Sequence, residues 1–181
     1  MFESIKTRLA NRRLQKARGG ESRRVRACGL ELANKIGILY DATDEAQFDV
    51  VRRLLFKLKN TIPVVKALGY VDSEELSDFH IQPLEFSFFC RKDLDRLGFP
   101  PEEAIAEFCT ADFDILICLD IDEKIPLSYV KLCSKAGFKV GLYSEKNSDL
   151  LDVMISLDEE NTSVEELVKQ VMYYLENIKY E

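Results

Sequence analysis

From residue 34 onward, short apolar runs alternate with segments of helical spacing. "KIGILY" (35–40) is apolar and rich in β-branched residues, and polar positions bound it. Between 44 and 59, Phe48, Val51, Leu54, Leu55 and Leu58 recur with the period of a helix. "PVVKALGYV" (63–71) and "LEFSFF" (84–89) read as strands. Pro100 and Pro101 open a helix with Ala104, Ile105 and Phe108 on one face, since proline fits the first turn. "DILICL" (114–119) is the clearest buried strand. Pro126 starts another helix, and Gly137 is expected to close it as a left-handed cap. "FKVGLY" (138–143) and "DVMISL" (152–157) are strands. Ser163 and Glu166 form a capping-box pattern ahead of a last helix. That helix carries Val164, Leu167, Val168, Val171, Leu175 and Ile178 on its apolar face.

Near-continuous apolar strands separated by helices mean a mostly parallel sheet covered on both faces. The expected fold is α/β: a three-layer sandwich with a mostly parallel five- or six-stranded sheet, Rossmann-like or flavodoxin-like, with a basic N-terminal helix. The stretch 72–83 is short for a crossover helix, and "SEELSD" predicts one helical turn at most.

Hydrophobic residues fill 46% of the 181 positions, which is enough for a real core. The cysteines (Cys28, Cys90, Cys109, Cys118, Cys133) are odd in number and lack CxxC spacing. They read as free, mostly buried thiols in a reducing compartment. A single histidine, His80, excludes a multi-histidine metal site. No run is long and apolar enough to span a membrane, and the basic N-terminus lacks the apolar stretch of a signal peptide. The expected location is cytoplasmic, with an organelle transit peptide as the lesser alternative.

Charge changes the picture more than composition does. Residues 1–29 hold nine Lys/Arg and two Glu, a net +7, while the remainder carries −14. The chain therefore divides into a basic helical arm and linker (1–29) and an α/β domain (30–181).

In open parallel sheets, ligands bind beyond the carboxyl ends of the strands. After the first strand comes "DATDEA", with no glycine where a dinucleotide fold needs GxGxxG, and with Asp41, Asp44 and Glu45 placed to repel a pyrophosphate. GxxxxGK[ST] and GxSxG are absent. The loop "DIDEKIP" offers Asp120, Asp122 and Glu123, which with Asp41 make an oxygen-rich set suited to Mg²⁺. The competing reading makes them turn and helix-start residues. "CRKDLDRLG" brings Arg91, Lys92 and Arg96, an anion site or a solvated helix start capped by Asp93. The candidate ligand-binding set is Asp41, Thr43, Lys92, Asp120, Asp122, Ser144 and Lys146. No catalytic residue, resident metal or cofactor is assigned, and His80 reads as structural.

"KIGILYDAT" (35–43), "RKDLDRLG" (91–98) and "FDILICLDIDEKIPLSYVKLCSKAGFKVGLYSEKNSDLLDVMISL" (113–157), taken with the basic start, resemble an uncharacterised family of small proteins of Bacteroidota-type bacteria. The resemblance spans roughly 1–178 and is strongest over 113–157. Family members commonly carry asparagines where this chain has Asp120 and Asp122. The resemblance implies a bacterial cytoplasmic protein and no reaction.

Within the arm, residues 1–18 can form a helix, with Phe2, Ile5 and Leu9 on one face. Gly19 and Gly20 then break it. Lys6, Arg8, Arg12, Arg13, Lys16, Arg18, Arg23, Arg24 and Arg26 supply the contacts expected of an RNA or ribosome tether. This makes the protein a non-enzymatic binding or adaptor protein. In the alternative, the arm docks on its own acidic body or mediates a homodimer, and the strand-end loops bind a small phosphorylated ligand or Mg²⁺ as an enzyme of unknown reaction. A weak membrane-surface contact through Phe2, Ile5 and Leu9 is the third role.

Overall fold

Six of the apolar runs become one sheet: β1 (Lys35–Asp41), β2 (Val64–Val71), β3 (Phe86–Cys90), β4 (Ile115–Cys118), β5 (Phe138–Leu142) and β6 (Val153–Ile155). The computed structural model describes residues 12–14, 23–81 and 84–178. All five strand pairings are parallel, in the order β3-β2-β1-β4-β5-β6. This is the Rossmann order, with its reversal between β1 and β4. The central strands are buried on both faces, which is why they read as unbroken apolar runs.

Four helices cover the sheet. α1 (Glu45–Lys59) begins at Asp44, whose carboxylate accepts the amides of Ala46 and Gln47 at 2.9 and 3.1 Å. α4 (Val164–Asn177) begins at Ser163, whose hydroxyl accepts the Glu166 amide at 3.2 Å. The Glu166 side chain accepts from Gln170 and Lys169. These two helices bury Phe48, Leu55, Leu167 and Val171 against Ile36, Ile38, Ile117 and Val140 of one sheet face. α2 (Glu102–Thr110) and α3 (Ile125–Cys133) bury Ile105, Phe108, Leu127 and Val130 against Leu39, Leu68 and Leu116 of the other. Each such aliphatic or phenyl side chain contributes roughly 1.5–3 kcal/mol.

Two local expectations change. Gly137 is not a left-handed cap: α3 ends at Cys133 with Ser134 extended, and among the described residues Gly98 alone has a positive φ, at 88°. Gly98 closes the turn ahead of Phe99, where Asp95 Oδ1 accepts the amides of Leu97 and Phe99 at 2.8 and 3.0 Å. Among the described residues of the β2–β3 crossover the helical turn is 3₁₀ and lies at Asp78–His80, so it falls after "SEELSD" (73–78), the stretch that predicts it, and shares only Asp78 with it.

His80 pins that crossover. Its Nδ1 accepts the Ser77 amide at 2.9 Å, so Nε2 carries the proton and donates to the Ala42 carbonyl at 2.9 Å. The ring packs against Phe79 and Phe88. It is structural, as its sequence context indicated. At Gly141, an added Cβ would lie 2.7 Å from the Cys118 carbonyl oxygen, so β4 and β5 approach only because that position lacks a side chain.

Candidate functional site

The carboxyl edge brings several sequence candidates together and pairs them with one another. Asp41, at the end of β1, accepts from the Thr43 amide at 3.0 Å and the Thr43 hydroxyl at 2.5 Å. Its second oxygen lies 2.9 Å from Lys124 Nζ. Lys124 also reaches Asp72 at 3.1 Å. Asp72 accepts from Tyr70 and Arg91 at 3.1 and 3.0 Å. Burial works to raise the Asp72 pKa, but hydrogen bonds from Lys124 and Arg91 outweigh it and hold the carboxyl below its ordinary value. Burial likewise opposes the Lys124 charge, and the two carboxylates overcome it.

Asp120, beyond β4, is buried and sits 2.7 Å from the equally buried Lys131 of α3. Burial pushes the Asp120 carboxyl up while Lys131 pulls against it. Lys131 also donates to Asn147 Oδ1 at 2.9 Å, and Asn147 donates to the Leu142 carbonyl at 2.9 Å. Glu123 pairs with Lys146, and the Ser144 hydroxyl accepts the Asn147 amide at 3.2 Å. Asp122 is exposed. Lys92 stands apart in the 3₁₀ turn Arg91–Asp93 after the edge strand β3.

Asp41, Thr43, Asp120, Asp122, Ser144 and Lys146 thus gather around the switch point, whereas Lys92 lies on the same carboxyl edge but beyond the outermost strand β3. Three partners were missed by sequence reading: Asp72, Lys124 and Lys131. For Lys131 a signal existed, because it falls four residues after Leu127 and one after Val130, on the apolar face of α3. Among the described residues, no group of three or more His, Cys, Asp or Glu is arranged to hold a metal ion.

The opposite, amino edge gathers the linker of the basic arm. Residues 23–29 run without helix or strand against the loops that precede β4 and β5. The Arg26 amide donates to the Gly137 carbonyl at 2.9 Å, and the Gly137 amide to the Phe113 carbonyl at 2.8 Å. Arg23 donates to the carbonyls of Ala136 and Gly137 at 2.9 and 3.2 Å, and pairs with Asp152 at 2.5 Å. This leaves Arg24, Arg26 and Lys135 exposed around a cavity of about 310 Å³, floored by Phe113. Asp112 is the acidic side chain on its rim, and Lys35 lies 3.3 Å from it.

Farther along the arm, residues 12–14 are helical. Arg13 pairs with Asp95 at 2.7 Å and stacks 4.3 Å above the Phe99 ring. Phe99 meets Tyr129 of α3 edge to face at 4.9 Å. Lys6, Arg8, Lys16 and Arg18, the apolar trio Phe2, Ile5 and Leu9, and the break at Gly19 and Gly20 lie outside the described residues.

The described residues thus form a Rossmann-like α/β fold, with Arg13, Arg23 and the Arg26 amide held against it. The chain belongs to a family of unknown function (DUF6913), whose model matches residues 6–178. No curated protein matches it. Among solved structures it is similar in fold to a family 9 glycosyl transferase from Veillonella parvula DSM 2008, with a TM-score of 0.50 and 15% identity. That match covers 83% of this chain and 43% of the other, so the chain spans under half the length of that structure.

Proposed function

We propose that the protein is a non-enzymatic, cytoplasmic bacterial binding protein that engages RNA, alone or in the ribosome, through its basic arm and the basic shelf on the amino edge of its sheet. The supporting observation is the cavity rimmed by Arg24, Arg26 and Lys135. Three exposed cations surround a concavity on a chain whose body carries −14. A phosphate backbone gains there from counterion release, while the acidic remainder repels it elsewhere. At the carboxyl edge, Asp41, Asp72, Asp120 and Glu123 are each engaged by a lysine, which favours a structural role for that network.

A second reading, that the arm docks on its own body, is favoured by the Arg13–Asp95 and Arg23–Asp152 pairs. The two combine: Arg13 and Arg23 hold the arm to the body, and the exposed Arg24, Arg26 and Lys135 meet the partner. The test is recovery of RNA on purified full-length protein from nuclease-treated and untreated lysate. The triple variant Arg24→Gln, Arg26→Gln, Lys135→Gln should carry much less RNA. Arg26 meets the body through its backbone amide, so the substitutions leave that contact in place. Equal RNA on both proteins, or none on either, contradicts the proposal.

A further inference from the structure

Gly137 lines the amino-edge cavity, yet neither its backbone nor its neighbours demand a glycine. Among the described residues Gly98 alone has a positive φ, so the Gly137 backbone suits other residues as well. An added Cβ would stand 3.4 Å from the Asp114 carbonyl oxygen and 3.8 Å from Nε and Nη2 of Arg26, which are ordinary contact distances. The space beneath the Arg26 guanidinium is therefore left open without any need of the fold. The cavity measures about 310 Å³, room for one small group rather than for a length of strand.

The charges around that space are unbalanced. Asp112, the acidic side chain on the rim, lies 3.3 Å from Lys35. Arg23 is taken up by Asp152 and by the carbonyls of Ala136 and Gly137. Arg24, Arg26 and Lys135 are exposed around the opening, so cations outnumber carboxylates there. A phosphate inside a strand carries one negative charge and is met along a surface. A terminal phosphomonoester carries about −1.5 to −2 near neutral pH and presents three acceptor oxygens, which several cations around a concavity can engage at once.

We propose that the amino-edge cavity holds the phosphorylated end of a single-stranded RNA, a terminal phosphomonoester met by Arg24, Arg26 and Lys135 in the space that Gly137 leaves open. This rests on the RNA-binding reading and adds that the site recognises a chain end as well as the backbone. Backbone contacts alone are indifferent to the end of a strand. A cavity that accepts one phosphate from the side of its free oxygens is not.

The test compares the affinity of the native full-length chain for one short RNA sequence bearing a 5′-phosphate, a 3′-phosphate, or hydroxyls at both ends. A hydroxyl-ended strand about two nucleotides longer matches the charge of the phosphorylated ones. One of the phosphorylated strands should bind about tenfold more tightly than both hydroxyl-ended strands, the effect of one charge-assisted hydrogen bond. Gly137→Val places a branched side chain in the cavity without changing its charge, and should shrink that preference severalfold. Equal binding of phosphorylated and charge-matched hydroxyl strands overturns this inference and leaves RNA binding standing. No binding of any strand at low salt overturns the RNA-binding reading itself. A full preference retained in a folded Gly137→Val chain puts the phosphate elsewhere and also overturns the inference. So does displacement of the phosphorylated strand by an equal concentration of free nucleoside monophosphate, which would make the cavity a small-molecule site.

Discussion

Asp120 and Lys131 show how one pair of residues can turn a candidate ligand into scaffold. Asp120 follows β4 at the switch point, where an exposed carboxylate would suit a metal or a phosphoryl group. Instead its side chain is 2% exposed and its ammonium partner 0%. Removing one member of a buried pair strands the other charge in the core. Asp120→Ala should therefore lose about 3–5 kcal/mol of stability in urea titration; a loss within error would mean that the pair is solvated. Lys139 gives a pH signature. Desolvation, then Arg23, lowers its pKa to about 8 from 10.5. Between those values the unfolded chain binds the proton more tightly, so the stability associated with this group rises with pH, and below pH 8 the full cost is present. Lys139→Met removes that dependence. Its stability relative to the native chain should be greatest near pH 7 and decline, by on the order of 3 kcal/mol, as pH rises to about 10.5. A difference that stays constant with pH contradicts the assignment. Neither effect was legible in the sequence. Burial of a lysine depends on which helix face meets which strand, and Asp120 and Lys131 become neighbours only when α3 packs beneath the end of β4.

At the scale of elements, periodicity carried most of the information. The six runs flanked by polar residues became six strands, and α1 and α4 lie where Phe48–Leu58 and Val164–Leu175 repeat at helical spacing. The order of the strands was not legible, because apolar runs buried on both faces carry no mark of which neighbour they will meet. Gly137 illustrates a second limit. A glycine after a helix suggests a left-handed cap, yet α3 ends earlier and Gly137 serves the arm, its carbonyl accepting from Arg23 and Arg26. Gly141 is the glycine on which packing depends. Gly141→Ala would press a Cβ to 2.7 Å from the Cys118 carbonyl and 3.0 Å from Leu151, where backbone cannot move aside cheaply. We expect a loss of roughly 1–3 kcal/mol; unchanged thermal unfolding would mean that β4 and β5 are less tightly joined. The Asp44 cap is worth less, and Asp44→Ala should cost about 1 kcal/mol by the same measurement. No change would leave the start of α1 independent of its cap.

For the whole molecule, charge asymmetry was the most legible functional feature and its geometry the least. The sequence marks nine cations in residues 1–29, but it does not say which are used internally. Arg13 and Arg23 anchor on Asp95 and Asp152, 82 and 129 residues away, separations that no local pattern reveals. Lys135 lies outside the arm altogether and joins the shelf only because the loop after α3 passes beneath the linker. The sheet thus carries a mutually paired ionic network at its carboxyl edge and a basic concavity at its amino edge. The most direct test of the RNA-binding account is the salt dependence of single-stranded RNA affinity, read by fluorescence anisotropy for the native chain and for Arg24→Gln, Arg26→Gln, Lys135→Gln. For single strands, each phosphate contact contributes about −0.7 to the slope of log affinity against log salt. The account predicts a steep negative slope for the native chain and a slope shallower by about 2 for the triple variant, with both proteins equally folded. Identical slopes, or no RNA binding at low salt, would contradict it.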